Sequence, residues 1–236
     1  MTKKSKEKSK ANNKFIKTLL GNPAPFNYVI DYECVVCPDG YEFFEKITAD
    51  KTPMGRDEDI YMEPKTKKIS KHPLPEGAYM DLAWIGKVWH GMSTTDKIEA
   101  MWDFSDSYGD ITNVEEGEFN PQTLQTFFEN ADGMYHNIRQ IPEMKKDGIK
   151  KVLGDIIGQE LFEFDVQIKN GEDGSVDLVM KPDLLGQALT LQFILCLHDK
   201  KYPVECNNCG KFYLAERVTS KFCGTTCRQK NHRSKK

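Results

Sequence analysis

The chain has no apolar run long enough to span a bilayer. Its longest near-apolar stretch, ALTLQFILCL at 188–197, falls well short of the roughly 20 residues a spanning helix needs. A secretory hydrophobic segment is also missing: MTKKSKEKSKANNKF is charged and polar, and only the short FIKTLL follows it. These absences exclude a membrane partner and lead to the expectation of a cytoplasmic protein. There is no glycine-rich phosphate loop, no nucleophile elbow and no His-Glu-x-x-His. The chemistry those motifs mark is excluded, and the chain is not expected to be an enzyme. No internal repeat is present. Disulfides are not expected in a reducing compartment, so cysteines paired by spacing are read as metal ligands.

What is present is unevenly distributed. The 236 residues suit one ordinary domain plus a small one, and the net charge is only −3. Residues 1–17 carry +6 and residues 200–236 carry +8, and taking both from the total leaves −17 for residues 18–199. An acidic body between two basic ends suggests that the ends meet a polyanion. The bland alternative is that a lysine-rich tail only keeps the chain soluble. Residues 1–13 are too polar to pack and read as a disordered basic tail.

Along the body, PFNYVIDYECVVC followed by PDG reads as a strand running into a turn. Residues 48–78 hold four prolines and many charges, which predicts mostly loop with one short strand around Ile69. Helices follow over 80–90 and from Thr94 or Thr95, as cap, to Tyr108. Asn120-Pro121 is a helix start signal, and Leu124, Phe127, Phe128, Ala131, Tyr135 and Ile138 mark one face. A further helix is expected over 145–161. FEFDVQIKNGEDGSVDLVMKP alternates on both sides of a turn sequence and predicts a hairpin. PDLLGQALTLQFILCLHDKK is apolar nearly all round and predicts a buried core helix.

That helix leads into VECNNCGKFYLAERVTSKFCGTTCRQKNHRSKK. The spacing Cys206-x2-Cys209-x13-Cys223-x3-Cys227 is the four-thiolate zinc pattern. A tight turn lets Cys206 and Cys209 converge on one ion, and cysteines four apart at a helix start share a face. The spacer KFYLAERVTSKF alternates around a central turn and predicts a hairpin. Four thiolates fill a tetrahedron, so such a zinc is structural. His232 is a weaker candidate ligand. A four-thiolate zinc is itself −2, which accounts for two or three neighbouring cations and not for ten. Lys211, Arg217, Lys221, Arg228, Lys230, Asn231 and Arg233 are therefore the candidate nucleic-acid-binding residues, since Lys and Arg bind phosphates while Arg and Asn also read base edges. Phe212, Tyr213 and Phe222 either pack the small core or stack on bases.

Two other clusters have competing readings. Cys34 and Cys37 are structural thiols, half of a metal site, or a redox pair. Val35-Val36 between them implies a strand, which points them to opposite faces. DLAWIGKVWHGMSTTDKIEAMWDF gathers all three tryptophans around His90; aromatics at helical spacing favour a core over a ligand pocket.

The run from the apolar helix through the two cysteine pairs to the basic end resembles the zinc finger of bacterial CGNR-type proteins. Many of these pair it with an upstream ABATE domain and are considered transcription regulators. MWDFSDSYGDI and the hairpin before the core helix carry a weaker similarity. Where that family has Cys-Gly-Asn-Arg, this chain has Cys227-Arg228-Gln229-Lys230: the ligand carries over and the Asn-Arg pair does not. The resemblance implies DNA binding and a regulatory body.

The expected fold class is α+β: a mainly helical body with a small β-hairpin, plus a C-terminal treble-clef-like zinc finger. The expected division is a basic tail at 1–13, a body at 14–181, a connecting core helix at 182–203 and a zinc finger with a basic helix at 204–236. The expected function is zinc-dependent nucleic-acid binding, with duplex DNA as partner in a transcription regulator. An RNA-binding protein and a structural or protein-interaction zinc module are the alternatives. Homodimerisation and a small-molecule effector are left open.

Overall fold

A computed structural model shows a mixed α+β architecture of short strands and medium-length helices, and it describes residues 26–45, 60–111, 122–143, 164–170 and 176–233. In chain order these form β1 (Phe26–Ile30), β2 (Glu33–Val36), β3 (Tyr41–Glu45), β4 (Ile60–Pro64) and β5 (Ser70–Pro73). Then come α1 (Ala78–Val88), a 3-10 turn (Trp89–Gly91), α2 (Thr94–Tyr108), β6 (Gln122–Thr123), α3 (Leu124–Gln140) and a second 3-10 turn (Ile141–Glu143). Last are β7 (Phe164–Asn170), β8 (Val176–Pro182), α4 (Leu185–His198), β9 (Tyr202–Glu205), β10 (Phe212–Ala215) and α5 (Thr225–Arg233). The expectations for the tail at 1–13, the helix at 145–161, the Asn120-Pro121 start and the turn at 171–174 fall outside the described residues. Among the described residues no helix is long and apolar enough to cross a membrane.

The chain divides into two compact units, Asp31–Tyr135 with Pro182–Leu189, and Met1–Ile30 with His136–Lys181 and Thr190–Lys236. In the first, Leu124, Phe127, Phe128, Ala131 and Met134 recur three and four apart on α3 and are buried. Phe127 meets Phe104 of α2 edge-on at 5.5 Å, and Phe128 stacks on Trp89 at 5.3 Å. Ser93, one residue ahead of the expected caps, starts α2. Its hydroxyl accepts from the Asp96 amide at 3.2 Å, and the Asp96 carboxylate accepts from the Ser93 amide at 3.1 Å, a reciprocal box neither threonine can close with that aspartate. Gly86 on α1 lies against the backbone of α3: a Cβ there would stand 2.1 Å from the Ala131 carbonyl oxygen.

The strands of this unit are more numerous than expected. β2 pairs antiparallel with β5, and β3, β4 and β6 form an antiparallel sheet. The described part of 48–78 is therefore not mostly loop. Ile60 and Met62 are buried while Tyr61 and Glu63 are half-buried, so β4 has a strand's alternation, and its proline and that of β5 stand at strand ends where no ladder bond is lost. The tryptophans do not form the expected core. Trp84 and Trp102 are 36% and 40% exposed, with Lys87 and Lys65 ammonium groups 4.7 and 5.4 Å from their rings; Trp89 is half-buried. An indole covered by its own neighbour's cation can remain at the surface.

In the second unit β1 runs parallel to β8, which also pairs with β7, giving the order β1-β8-β7. Phe26–Ile30 and Glu33–Val36 are thus two strands in different sheets and different units, where one strand was expected. α4 belongs to the first unit up to Leu189 and to the second from Thr190, and its residues are buried all round its surface, including Leu185, Leu189, Leu191, Phe193, Ile194 and Leu197, as its composition predicts. The helix ends where Lys200 takes a left-handed φ of 59° and the Lys201 amide donates to the Cys196 carbonyl at 2.9 Å. The chain then enters β9 at once.

Candidate metal centre

β9 and β10 pair antiparallel, with Glu205 opposite Phe212 and Tyr202 opposite Ala215. The loop between them is CNNCGK. The hairpin therefore wraps around the first cysteine pair, and the spacer does not form one by itself. Pro203 and Val204, buried ahead of the cysteines, supply the missing strand. The Gly210 amide donates to the Cys206 carbonyl at 2.8 Å, and the Cys206 amide donates to the Lys211 carbonyl at 3.0 Å. This closure requires a left-handed residue at 210, where φ is +72° and glycine alone pays no steric penalty.

The second half of the spacer folds back as turns. The Ser220 amide donates to the Arg217 carbonyl at 3.0 Å, and the Tyr213 hydroxyl donates to Ser220 Oγ at 2.9 Å. The Asn207 amide donates to the Lys221 carbonyl at 2.9 Å, which sets the chain before Cys223 beside the first pair. Cys223 precedes α5 and Cys227 lies in its first turn; the Arg228 amide donates to the Gly224 carbonyl at 3.1 Å.

All four Sγ atoms lie within 4.8 Å of one another. Cys209 and Cys223 are 3.9 Å apart, and Cys223 and Cys227 are 3.5 Å apart. A tetrahedral ion with metal–sulfur bonds of about 2.3 Å sets its sulfurs about 3.8 Å from one another. The donor set and its spacing fit such an ion. His232 is exposed and is not part of this group.

The metal-free thiols share a charge unequally. Burial pushes Cys206 up, but the amides of Cys209, Cys223 and Asn208 outweigh it and bring the thiol down to about 6. Hydrogen bonding to Cys227, then to Cys206, pushes Cys223 up to about 12. Its bond with Cys223 lowers Cys227, yet burial and contacts with Cys209 and Cys206 leave it above its ordinary value. At neutral pH Cys206 is ionised, while Cys223 and Cys227 hold protons that a metal must displace. Metal affinity is therefore expected to rise with pH near neutrality, as thiol protons leave when the ion binds, and more steeply below about pH 6 where Cys206 also protonates. Competition titrations against a chelator of known pH dependence measure that slope; a pH-independent affinity contradicts it.

Lys211, Arg217, Lys221, Arg228, Lys230 and Arg233 are exposed, and Asn231 is half-buried. All seven lie between 204 and 233 and in the unit that holds the cysteines. Phe212, Tyr213 and Phe222 are half-buried. The amides of Cys209, Cys223 and Asn208 reach the Cys206 sulfur; Gly210 after the Cys-x2-Cys pair is the sequence signal that amides can approach these sulfurs, though not which ones do.

Cys34 and Cys37 gather no third metal-ligating side chain among the described residues. Both are buried, because Cys37 falls past the end of β2, where strand alternation no longer applies. Burial pushes the Cys34 thiol up to about 11, and the Cys37 thiol donates to the Thr66 carbonyl at 3.7 Å.

Comparison with protein-family models, with curated proteins and with solved structures finds no match to this chain. The four-cysteine cluster is of a general metal-binding kind, and it does not single out the CGNR family.

Proposed function

We propose that Cys206, Cys209, Cys223 and Cys227 bind a structural zinc ion, and that the module they organise binds nucleic acid. A knuckle at the tip of the β9–β10 hairpin, followed by α5, is then a treble-clef-like arrangement, with zinc filling the place of the core that so short a segment lacks. The observation that carries the reading is six exposed Lys and Arg side chains on the same 30-odd residues that converge the thiolates. Arg228, Lys230 and Arg233 project from α5 toward phosphates, and Asn231 is the candidate for base contact. Duplex DNA is the preferred partner, and a bacterial transcription regulator of CGNR-like kind is the role this suggests. The protein is read as cytoplasmic and non-enzymatic. The −17 of residues 18–199 favours one other reading, in which the module docks on an acidic surface and zinc is purely structural.

Fluorescence anisotropy across a salt series separates these. Zinc-loaded protein is titrated into labelled duplex DNA, single-stranded DNA and RNA, beside the variant Arg228→Glu, Lys230→Glu, Arg233→Glu with zinc content checked. The expected result is tightest binding to duplex, and a log–log salt slope that is shallower by about 2.7 in the variant, roughly 0.9 for each lost phosphate contact. Preference for RNA would replace the regulator with an RNA-binding module. No binding at low salt by the zinc-loaded protein would sink both and leave the docking reading.

A further inference from the structure

The four sulfurs are not equally protected. Cys206 is 1% exposed, whereas Cys209 and Cys223 are exposed and Cys227 is half-buried. Cys223 and Cys227 also hold the shorter of the two contacts across the open side, 3.5 Å against 3.9 Å for Cys209 and Cys223. Only Gly224, Thr225 and Thr226 lie between them, all small and all exposed. In a metal-loaded site both sulfurs would be thiolates, since a metal takes cysteine only in its deprotonated form.

We infer that Cys223 and Cys227 are an oxidative modification site, a dithiol that a hydroperoxide converts to a disulfide. The inference rests on the metal-binding reading above, because the loss of two thiolates is what gives the modification its consequence. The Cys223 thiolate, the more exposed of the two, attacks one peroxide oxygen. An S–O bond forms, the O–O bond breaks, and the departing hydroxide (alkoxide, from an organic peroxide) takes up a proton. The Cys227 thiolate then attacks the Cys223 sulfenic sulfur. The S–S bond forms, the S–O bond breaks, and hydroxide leaves to become water. The two sulfurs together give up two electrons, and the peroxide accepts them. The sulfurs need to approach from 3.5 Å to about 2.0 Å, a movement of about 1.5 Å at adjacent positions of one turn. Cys206 and Cys209 remain on the knuckle, and two thiolates do not complete a four-coordinate site.

Full-length zinc-loaded protein treated with hydrogen peroxide tests this. Zinc is measured before and after with a chromophoric chelator, and tryptic peptides are mapped by mass spectrometry. Cleavage after Lys201, Lys211, Lys221 and Arg228 places Cys206 and Cys209 on one peptide and Cys223 and Cys227 on another. The expected result is loss of the bound zinc, with peptide 222–228 lighter by two hydrogens and resistant to alkylation. A dithiol reductant restores zinc binding. Zinc retained through the treatment would overturn the inference alone. So would a disulfide within peptide 202–211, or one joining the two peptides. No zinc before peroxide is added would overturn the metal reading, and this inference with it.

Discussion

Cys206→Ser is expected to remove stoichiometric zinc binding and to unfold residues 202–233 without disturbing the unit around α1, α2 and α3. Cys206 holds the site together in three ways. It is the one buried ligand, its carbonyl and amide fasten the turn to Gly210 and Lys211, and its sulfur draws the amides of Asn208, Cys209 and Cys223 inward. Serine keeps the backbone bonds and loses the thiolate. A structural zinc contributes on the order of 10 kcal/mol to a module of this size, far more than a two-stranded hairpin and a short helix supply alone. Two readouts separate the effects. Zinc content and amide exchange in β9 and β10 should both collapse. Tryptophan fluorescence should not change, because Trp84, Trp89 and Trp102 all belong to the Asp31–Tyr135 unit. Full zinc occupancy in the variant would show that the ion sits elsewhere.

The second large effect is expected at Gly86, and it runs against helix propensity. Alanine in mid-helix is ordinarily better than glycine by about 1 kcal/mol. Here the added methyl would stand 2.1 Å from the Ala131 oxygen, 2.3 Å from its carbonyl carbon and 2.7 Å from the Asp132 nitrogen. All three are backbone atoms of α3, so no side chain can swing aside, and α1 and α3 must separate. Overpacking of this kind costs about 1–3 kcal/mol and occasionally more. Separation also disturbs the Trp89–Phe128 stack and the His90–Asp132 pair at 3.7 Å. Gly86→Ala should therefore lower the urea midpoint followed at the tryptophans by the equivalent of about 2 kcal/mol, while zinc content stays as in the parent. A raised midpoint would mean that the helices do not approach this closely.

The two substitutions illustrate what sequence can and cannot disclose here. Spacing made the cysteine cluster legible, because convergence on one ion is a local demand on a few dozen residues. Periodicity made α3 legible, since burial of Leu124 through Met134 leaves its mark every three or four positions, and α4 was legible from an apolar composition with hardly any polar face. Gly86 carries no such mark: a glycine in a helical pattern looks like a weakness until the facing helix is in place. β1 is similar. Its partner β8 lies about 150 residues away, joined by the ladder and by Asn27 donating to Asp177 at 3.2 Å, and backbone pairing at that distance leaves no imprint on either strand. The hairpin around the knuckle was misplaced for a smaller reason. The alternation in the spacer was real on one side only, and its partner strand lay upstream, in the four residues YPVE between the charged end of α4 and Cys206.

The short C-terminal helix has a consequence of its own. α5 has nine residues and buries none of them. Isolated helices below about 12–15 residues are marginal in water, and α5, which buries no residue, gains order from the two cysteines held together at its start. Its order is thus thermodynamically linked to occupancy of the site: whatever binds the helical form raises metal affinity, and metal raises affinity for that binder by the same factor. A polyanion and the ion would act as mutual effectors across a single turn of chain. Deprived of metal, residues 225–233 would still carry their positive charge, but as a loose polycation whose attraction to phosphate has strength and no direction.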